Sequence, residues 1–155
     1  MHRITLIIIL LFCATAIDAA SYERNDGTIV DPIQSVHGGD LPYSGNNLEP
    51  LADLSGAFLN DALLVRANLT NATLTDATLT GAFLTFANLT GADLTSATLT
   101  NADLGLASLY NAYVSNADLT YAYLTNADLT GADLSNADLT GADLMGAILG
   151  SADLT

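Results

Sequence analysis

The sequence predicts an all-β solenoid, a chain wound into a closed coil of short extended faces. Three observations predict it. Alanine recurs at every fifth position from Ala52 to Ala152; an aliphatic residue follows each alanine by two; and turn-forming pairs such as Thr-Gly, Thr-Asn and Ser-Asn close the units. The aliphatic residue is leucine at 54, 59, 64 and onward to 154, with Val114 the sole departure among 21 units.

Neither regular structure accommodates this period. In an α-helix five residues advance by about 500°, so successive leucines scatter around the cylinder. The fillers Thr, Asn, Asp and Gly are also weak helix formers. In a flat strand an odd spacing sends Leu54 to one face and Leu59 to the other. If the chain corners once per unit, Ala and Leu point the same way and every Leu meets the axis. Fixing five backbones costs on the order of 5–10 kcal/mol, whereas burying one leucine returns about 1.5–3 kcal/mol. A lone unit therefore cannot fold, and coils must stack on each other at roughly 4.8 Å. The expected core is a column exemplified by Leu74, Leu94, Val114, Leu134 and Leu154, with Ala92 and Ala132 as small inward residues. A larger residue in place of alanine would crowd the narrow interior.

The chain divides into three zones. Residues 1–19 read as a secretory signal peptide: Arg3, an apolar run from Ile4 to Ile17, then small residues, with cleavage expected after Ala19. The run of 14 residues is too short to span a membrane comfortably, so membrane contact is expected only through this segment. Residues 20–50 show no repeat; Asp26-Gly27, Pro32, Gly38-Gly39, Pro42 and Pro50 punctuate them with turns. Thr28-Ile29-Val30 is a candidate strand, and the zone reads as a leader or as a cap over the first turn of the solenoid. Residues 51–155 are the repeat.

Composition limits function. Acids outnumber bases 17 to 3, for a net charge of -14, which argues against a nucleic-acid partner. Cys13 is the only cysteine and lies in the export segment, so disulfides, thiolate metal sites and a cysteine nucleophile are not expected in the mature chain. The mature chain keeps one histidine, His37, and its many Ser and Asp residues lie on repetitive surface with no pocket implied. No catalytic residue, cofactor or metal ligand is assigned.

The motif A-[D/N]-L-x-x, as in Ala127-Asp128-Leu129-Thr130-Gly131 and its neighbours, resembles the pentapeptide-repeat family over about two thirds of the chain. The resemblance implies a right-handed quadrilateral β-helix with four units per coil and about five coils. It also implies that residues 20 apart stack. Asp118 would then lie over Asp138, and Asp133 over Asp153. Such carboxylates form either a solvating acidic coat or a surface for cations or a basic partner. Leu63, Phe83, Phe86, Leu106 and Tyr123 would gather on the third face or its corner, as a docking surface or as drift in a tolerant exterior. Tyr110, Tyr113 and Tyr121 add aromatics on other faces. Thr80, Thr100, Thr120 and Thr140 would form a column; with Thr78 and Thr98 they make two Thr-x-Thr ranks before Asp118 interrupts. Asn68-Leu69-Thr70 and Asn88-Leu89-Thr90 match the glycosylation acceptor pattern, which chance supplies readily in so Asn- and Thr-rich a chain.

The leading functional reading is an exported, non-catalytic scaffold, periplasmic or extracellular, that binds a protein partner. The alternative, implied by the resemblance, is a DNA mimic that binds a type II topoisomerase; export argues against it. An ice-binding surface is third. The final coil, through Leu139, Leu144, Leu149 and Leu154, is expected to expose its edge and to favour a C-terminal homodimer.

Overall fold

The computed structural model describes residues 50–155 and, further up the chain, the backbone of two short strands. The segment read as a signal peptide, the cleavage expected after Ala19 and the cap reading of residues 20–50 otherwise lie outside the described residues. Strand β1 (Tyr22–Glu23) pairs antiparallel with β2 (Ile29–Val30), Tyr22 opposite Val30 and Glu23 opposite Ile29. The candidate strand at 28–30 thus corresponds to β2, and its partner was not evident from the pattern.

From residue 51 the chain coils. Seventeen parallel bridges each join a residue to the one 20 further along, from Asp53↔Thr73 to Asp133↔Asp153. Twenty residues of five-residue units fix four units per coil, the number that periodicity alone left open. The faces are numbered from the first coil: face 1 is 52–56, face 2 is 57–61, face 3 is 62–66 and face 4 is 67–71, each recurring every 20 residues. The expected stack of sheets is reduced to single bridges, and β1–β2 is the only named sheet among the described residues. The reason is length: a side offers three residues between corners, and the one between Ala and Leu makes the bridge.

A corner residue with positive φ ends every unit. The 21 positions from Leu51 to Ser151 have φ between 53° and 72°, and only six of them are glycine. At each junction the alanine N–H donates to the carbonyl of the leucine three residues back, for example Ala57 to Leu54 at 3.0 Å. That bond and a left-handed third residue define a type II turn. Three further backbone bonds tie each unit to its neighbouring coils. Thr73 N–H donates to Ala52 O at 2.8 Å, Leu54 N–H to Thr73 O at 2.7 Å and Gly56 N–H to Thr75 O at 2.8 Å. The same pattern repeats along the rod.

Inside, alanine and leucine form one continuous cluster from Ala52 to Leu134. Leu74, Leu94, Val114, Leu134, Ala92 and Ala132 are buried as expected. Leu154 is not: it is 56% exposed, since no coil covers it among the described residues. Ala137, Leu139, Leu144 and Leu149 in the same last coil are only partly buried.

Corner glycines answer to the coil before them. At Gly91, φ is +65°, and an added Cβ would run into Oδ1 of Asn71, the corner residue one coil earlier.

Two stability predictions follow from this packing. Leu94→Ala should destabilise the rod by about 2–5 kcal/mol, whereas Leu154→Ala should cost less than about 1 kcal/mol, both read by denaturant unfolding followed by circular dichroism. Gly91→Ala should cost roughly 1–2 kcal/mol for the left-handed backbone plus the clash, and in an Asn71→Gly background only the backbone part should remain. Equal losses in the two backgrounds would show that Asn71 does not limit the site.

Candidate interaction surfaces

Because Ala and Leu point inward, the residue between them, the residue after Leu and the corner residue make up the exterior. Their chemistry follows from one unmet need. The N–H of the residue after Leu has no backbone acceptor in the coil. Wherever Asp or Asn sits two positions earlier, its Oδ1 accepts that N–H. This holds at all eleven such sites, among them Asp93 to Thr95 at 3.0 Å, Asp118 to Thr120 at 2.9 Å and Asp128 to Thr130 at 3.0 Å. Neighbouring hydroxyls add to it: Thr120 Oγ1 donates to Asp118 at 2.6 Å, Ser135 Oγ to Asp133 at 2.6 Å and Ser55 Oγ to Asp53 at 2.7 Å. These are local side-chain turns of the Asx type. The acidic coat is therefore part of the backbone bonding, a role that the spacing Asp-Leu-Thr carries and that charge counting missed.

The same bonds set the carboxyl pKa values. The hydroxyl and then the amide of Thr120 hold Asp118 below the ordinary range, and Thr130, Ser135, Thr140 and Ser55 do the same for Asp128, Asp133, Asp138 and Asp53. For Asp93 burial pushes upward most, but the Thr95 hydroxyl and amide together with the Thr75 hydroxyl outweigh it. Asp118 and Asp138 face each other as a bridged pair, as do Asp133 and Asp153, and the Asp118 charge pushes Asp138 up without reversing its shift. Among the described residues no group of three His, Cys, Asp or Glu is placed to hold a metal ion, and no helix is long and apolar enough to cross a membrane.

Face 3 departs from this chemistry. Down its bridged column stand Leu63, Phe83, Asp103, Tyr123 and Asp143. Phe83 and Tyr123 are exposed, and Leu63 is half-buried. Phe86 and Leu106 lie exposed at the corner where the face ends, and the Arg66 guanidinium sits 5.5 Å over the Phe86 ring centroid. The structure thus brings together all five residues of the expected docking surface. It adds Tyr121, exposed at the corner where the face begins, rather than leaving it with the scattered tyrosines. Six of the twelve exposed large apolar side chains belong to this face and its corners: Phe83, Phe86, Leu106, Tyr121, Tyr123 and Met145. Tyr113 on face 1 and Tyr110 on face 4 remain apart.

Four of the five large non-glycine corner residues with positive φ border face 3, the fifth being Leu51 before the first coil. Arg66, Phe86, Leu106 and Tyr121 have φ of 64°, 60°, 58° and 56°, where most other corners carry Asn, Asp, Ser or Gly. A side chain of this size in the left-handed region costs roughly 1–2 kcal/mol. On face 2, Thr78 and Thr98 are bridged and the Thr100 and Thr120 hydroxyls meet at 3.4 Å, but Asp118 ends the double rank after two coils.

The family model for pentapeptide repeats matches residues 51–85, 87–120 and 122–155. This chain belongs to the pentapeptide-repeat family. The repeat segment of this pentapeptide-repeat protein is accordingly a right-handed β-helix. A solved relative, the pentapeptide-repeat protein Rfr23 of the cyanobacterium Cyanothece 51142, is 28% identical, with a TM-score of 0.61; the match covers 69% of this chain and 91% of Rfr23. HetL, a pentapeptide-repeat protein involved in heterocyst differentiation regulation in Nostoc sp. strain PCC 7120, is 34% identical over 66% of this chain and 60% of its own, with a TM-score of 0.31. QnrB1, a plasmid-mediated fluoroquinolone resistance protein, is 21% identical over 68% of this chain and 59% of its own, with a TM-score of 0.34. No curated protein matches the chain.

The lowered aspartates make the rod sensitive to acid. In the folded state they hold protons less readily than in the unfolded chain, whose carboxyls titrate near pH 3.9. Their contribution is complete above that value and is lost as pH falls through the lower folded values. The melting temperature should therefore drop between about pH 5 and about pH 2, and Asp118→Asn/Asp128→Asn/Asp133→Asn, which keeps the amide acceptors, should flatten the profile.

Proposed function

We propose that this pentapeptide-repeat protein is an exported, non-catalytic scaffold that binds a protein partner through an outer face of its rod. On this reading residues 51–155 make about five coils, roughly 25 Å of rod at sheet spacing. The observation that carries the reading is the contrast among the faces. Eleven of the 21 side chains between Ala and Leu cap the rod's own backbone, whereas face 3 and its corners carry six of the twelve exposed large apolar side chains, groups that serve neither core nor caps. Contiguous apolar surface of this kind marks interaction sites in folded proteins. Export rests on the apolar run from Ile4 to Ile17 and the small residues after it. A homodimer through the half-buried leucines of the last coil belongs to the same proposal.

The second reading, a topoisomerase-binding DNA mimic, draws on the charge of the rod: Arg66 is the only basic residue among eleven aspartates in residues 51–155. Two experiments separate the readings. The full chain should be recovered outside the cytoplasm with a new N-terminus at Ala20, and a chain lacking residues 1–19 should stay inside. In a supercoiling assay the mature chain should leave a type II topoisomerase unaffected at micromolar concentration. Inhibition there, with no export, would move the assignment to the DNA mimic.

A further inference from the structure

Resting on the scaffold reading, we propose that face 3 docks an extended basic segment of a partner protein, with arginine or lysine side chains lying across its alternating aromatic and acidic rungs. Four consecutive bridged positions alternate in chemistry: Phe83, Asp103, Tyr123, Asp143. Phe86 and Leu106 line one edge of this column, and Tyr121 stands at the other. The face already holds one cation in this manner, since Arg66 lies over Phe86. Aromatic faces attract guanidinium and ammonium groups through the ring quadrupole, and adjacent carboxylates supply the opposite charge.

Of the two acids on this column, Asp103 is less engaged than Asp118, Asp133 and Asp53. Asp118, Asp133 and Asp53 each accept both the amide and the hydroxyl of the residue two further on. Asp103 is followed at that place by Gly105 and Asp143 by Met145, so each accepts the amide at 2.9 Å but has no such hydroxyl. Thr125 Oγ1 reaches Asp143 at 3.3 Å. Gly105 does not have positive φ, so its backbone does not require glycine; the Asp103 carboxylate lies against it, 3.1 Å from where a Cβ would be.

The backbone pattern reinforces the assignment. Asparagine or glycine at the corners would relieve the left-handed strain at Phe86, Leu106 and Tyr121, yet this face keeps large exposed groups there. Strain retained at exposed positions that add nothing to the core points to a use outside the fold.

Charge selects the occupant. The whole chain carries -14, so a second copy laid on this face brings like charge. Residues 20–50 hold five acids against the single base Arg24, so the leader is disfavoured in the same way. A basic partner is not. Spacing narrows it further: like rungs lie two coils apart, about 9.6 Å at sheet spacing. A polyproline II segment places every third residue on one side at about 9.3 Å. A partner segment in that conformation with a cation at every third position fits Asp103 and Asp143 together, its long cationic side chains lying across the aromatic rungs between them.

The test is fluorescence anisotropy with the full chain and a labelled peptide of four Pro-Pro-Arg triplets, in about 0.15 M salt. The peptide should bind, and its Pro-Pro-Glu counterpart should not. Asp103→Asn, Tyr123→Thr and Gly105→Thr, which gives Asp103 a hydroxyl partner, should each weaken binding about tenfold. Asp128→Asn on face 4 and Asp133→Asn on face 1 should change it by less than about twofold. Leu106→Asn should weaken binding while raising the melting temperature, an outcome that a purely structural role for Leu106 excludes. Absence of binding by the wild-type chain, or equal weakening by acids on every face, overturns the proposal. So does self-association that Tyr123→Thr abolishes, because the face would then join two copies. In each of these cases the scaffold reading still stands on the export and supercoiling results.

Discussion

Each five-residue unit carries five backbone N–H groups, and where those groups find acceptors shapes the rest of the molecule. One closes the turn within the unit's own chain, and three reach carbonyls in the coils above and below. Buried amides without partners are costly, so this pattern must recur in every unit or the rod fails. The fifth N–H, on the residue after Leu, is left over. Where Asp or Asn stands two places earlier, a side-chain oxygen takes it, and this explains why those residues recur between Ala and Leu more often than solvation requires. The repeat motif is in this sense a hydrogen-bond pattern written in side chains.

The same bonding forces the corner. A turn that returns an alanine N–H to the leucine three residues back needs a left-handed residue before the alanine. Glycine, asparagine and aspartate meet that need at low cost, and most corners use them or serine. The interior then has room for one leucine and one alanine per unit. Val114 is accepted because it keeps a branched apolar group on the axis and stays fully buried. No local choice in the core conflicts with another, which is the condition for a repeat to fold by stacking.

Eleven of the 21 positions between Ala and Leu are committed to the rod's own backbone, and departures from that rule become informative. Face 3 departs twice, in its apolar column and in the large residues at its corners. Part of this was legible beforehand: Leu63, Phe83, Phe86, Leu106 and Tyr123 stand out once residues 20 apart are stacked. Tyr121 was missed because its place depends on which face a corner residue borders, and a linear reading assigns it to the unit that it ends. The strain at Phe86, Leu106 and Tyr121 was invisible, since φ belongs to the folded backbone. The capping role of the aspartates could have been read from the Asp-Leu-Thr spacing. Net charge concealed it, because a carboxylate that accepts an amide and one that only faces water count alike in the total.

The sequence by itself determined that the chain corners every five residues, that Ala and Leu line a shared axis and that the coils must stack. Those conclusions need only a period, side-chain sizes and the cost of an unburied leucine. It did not determine how many units complete a coil, because corner angles sum around the loop and no single unit contains that sum. The bridges from each residue to the one 20 along decide it. Nor could it show that Leu154 differs from Leu134, two residues with the same unit motif. Their difference lies in whether another coil covers them, a property of neighbours in space that no local pattern records.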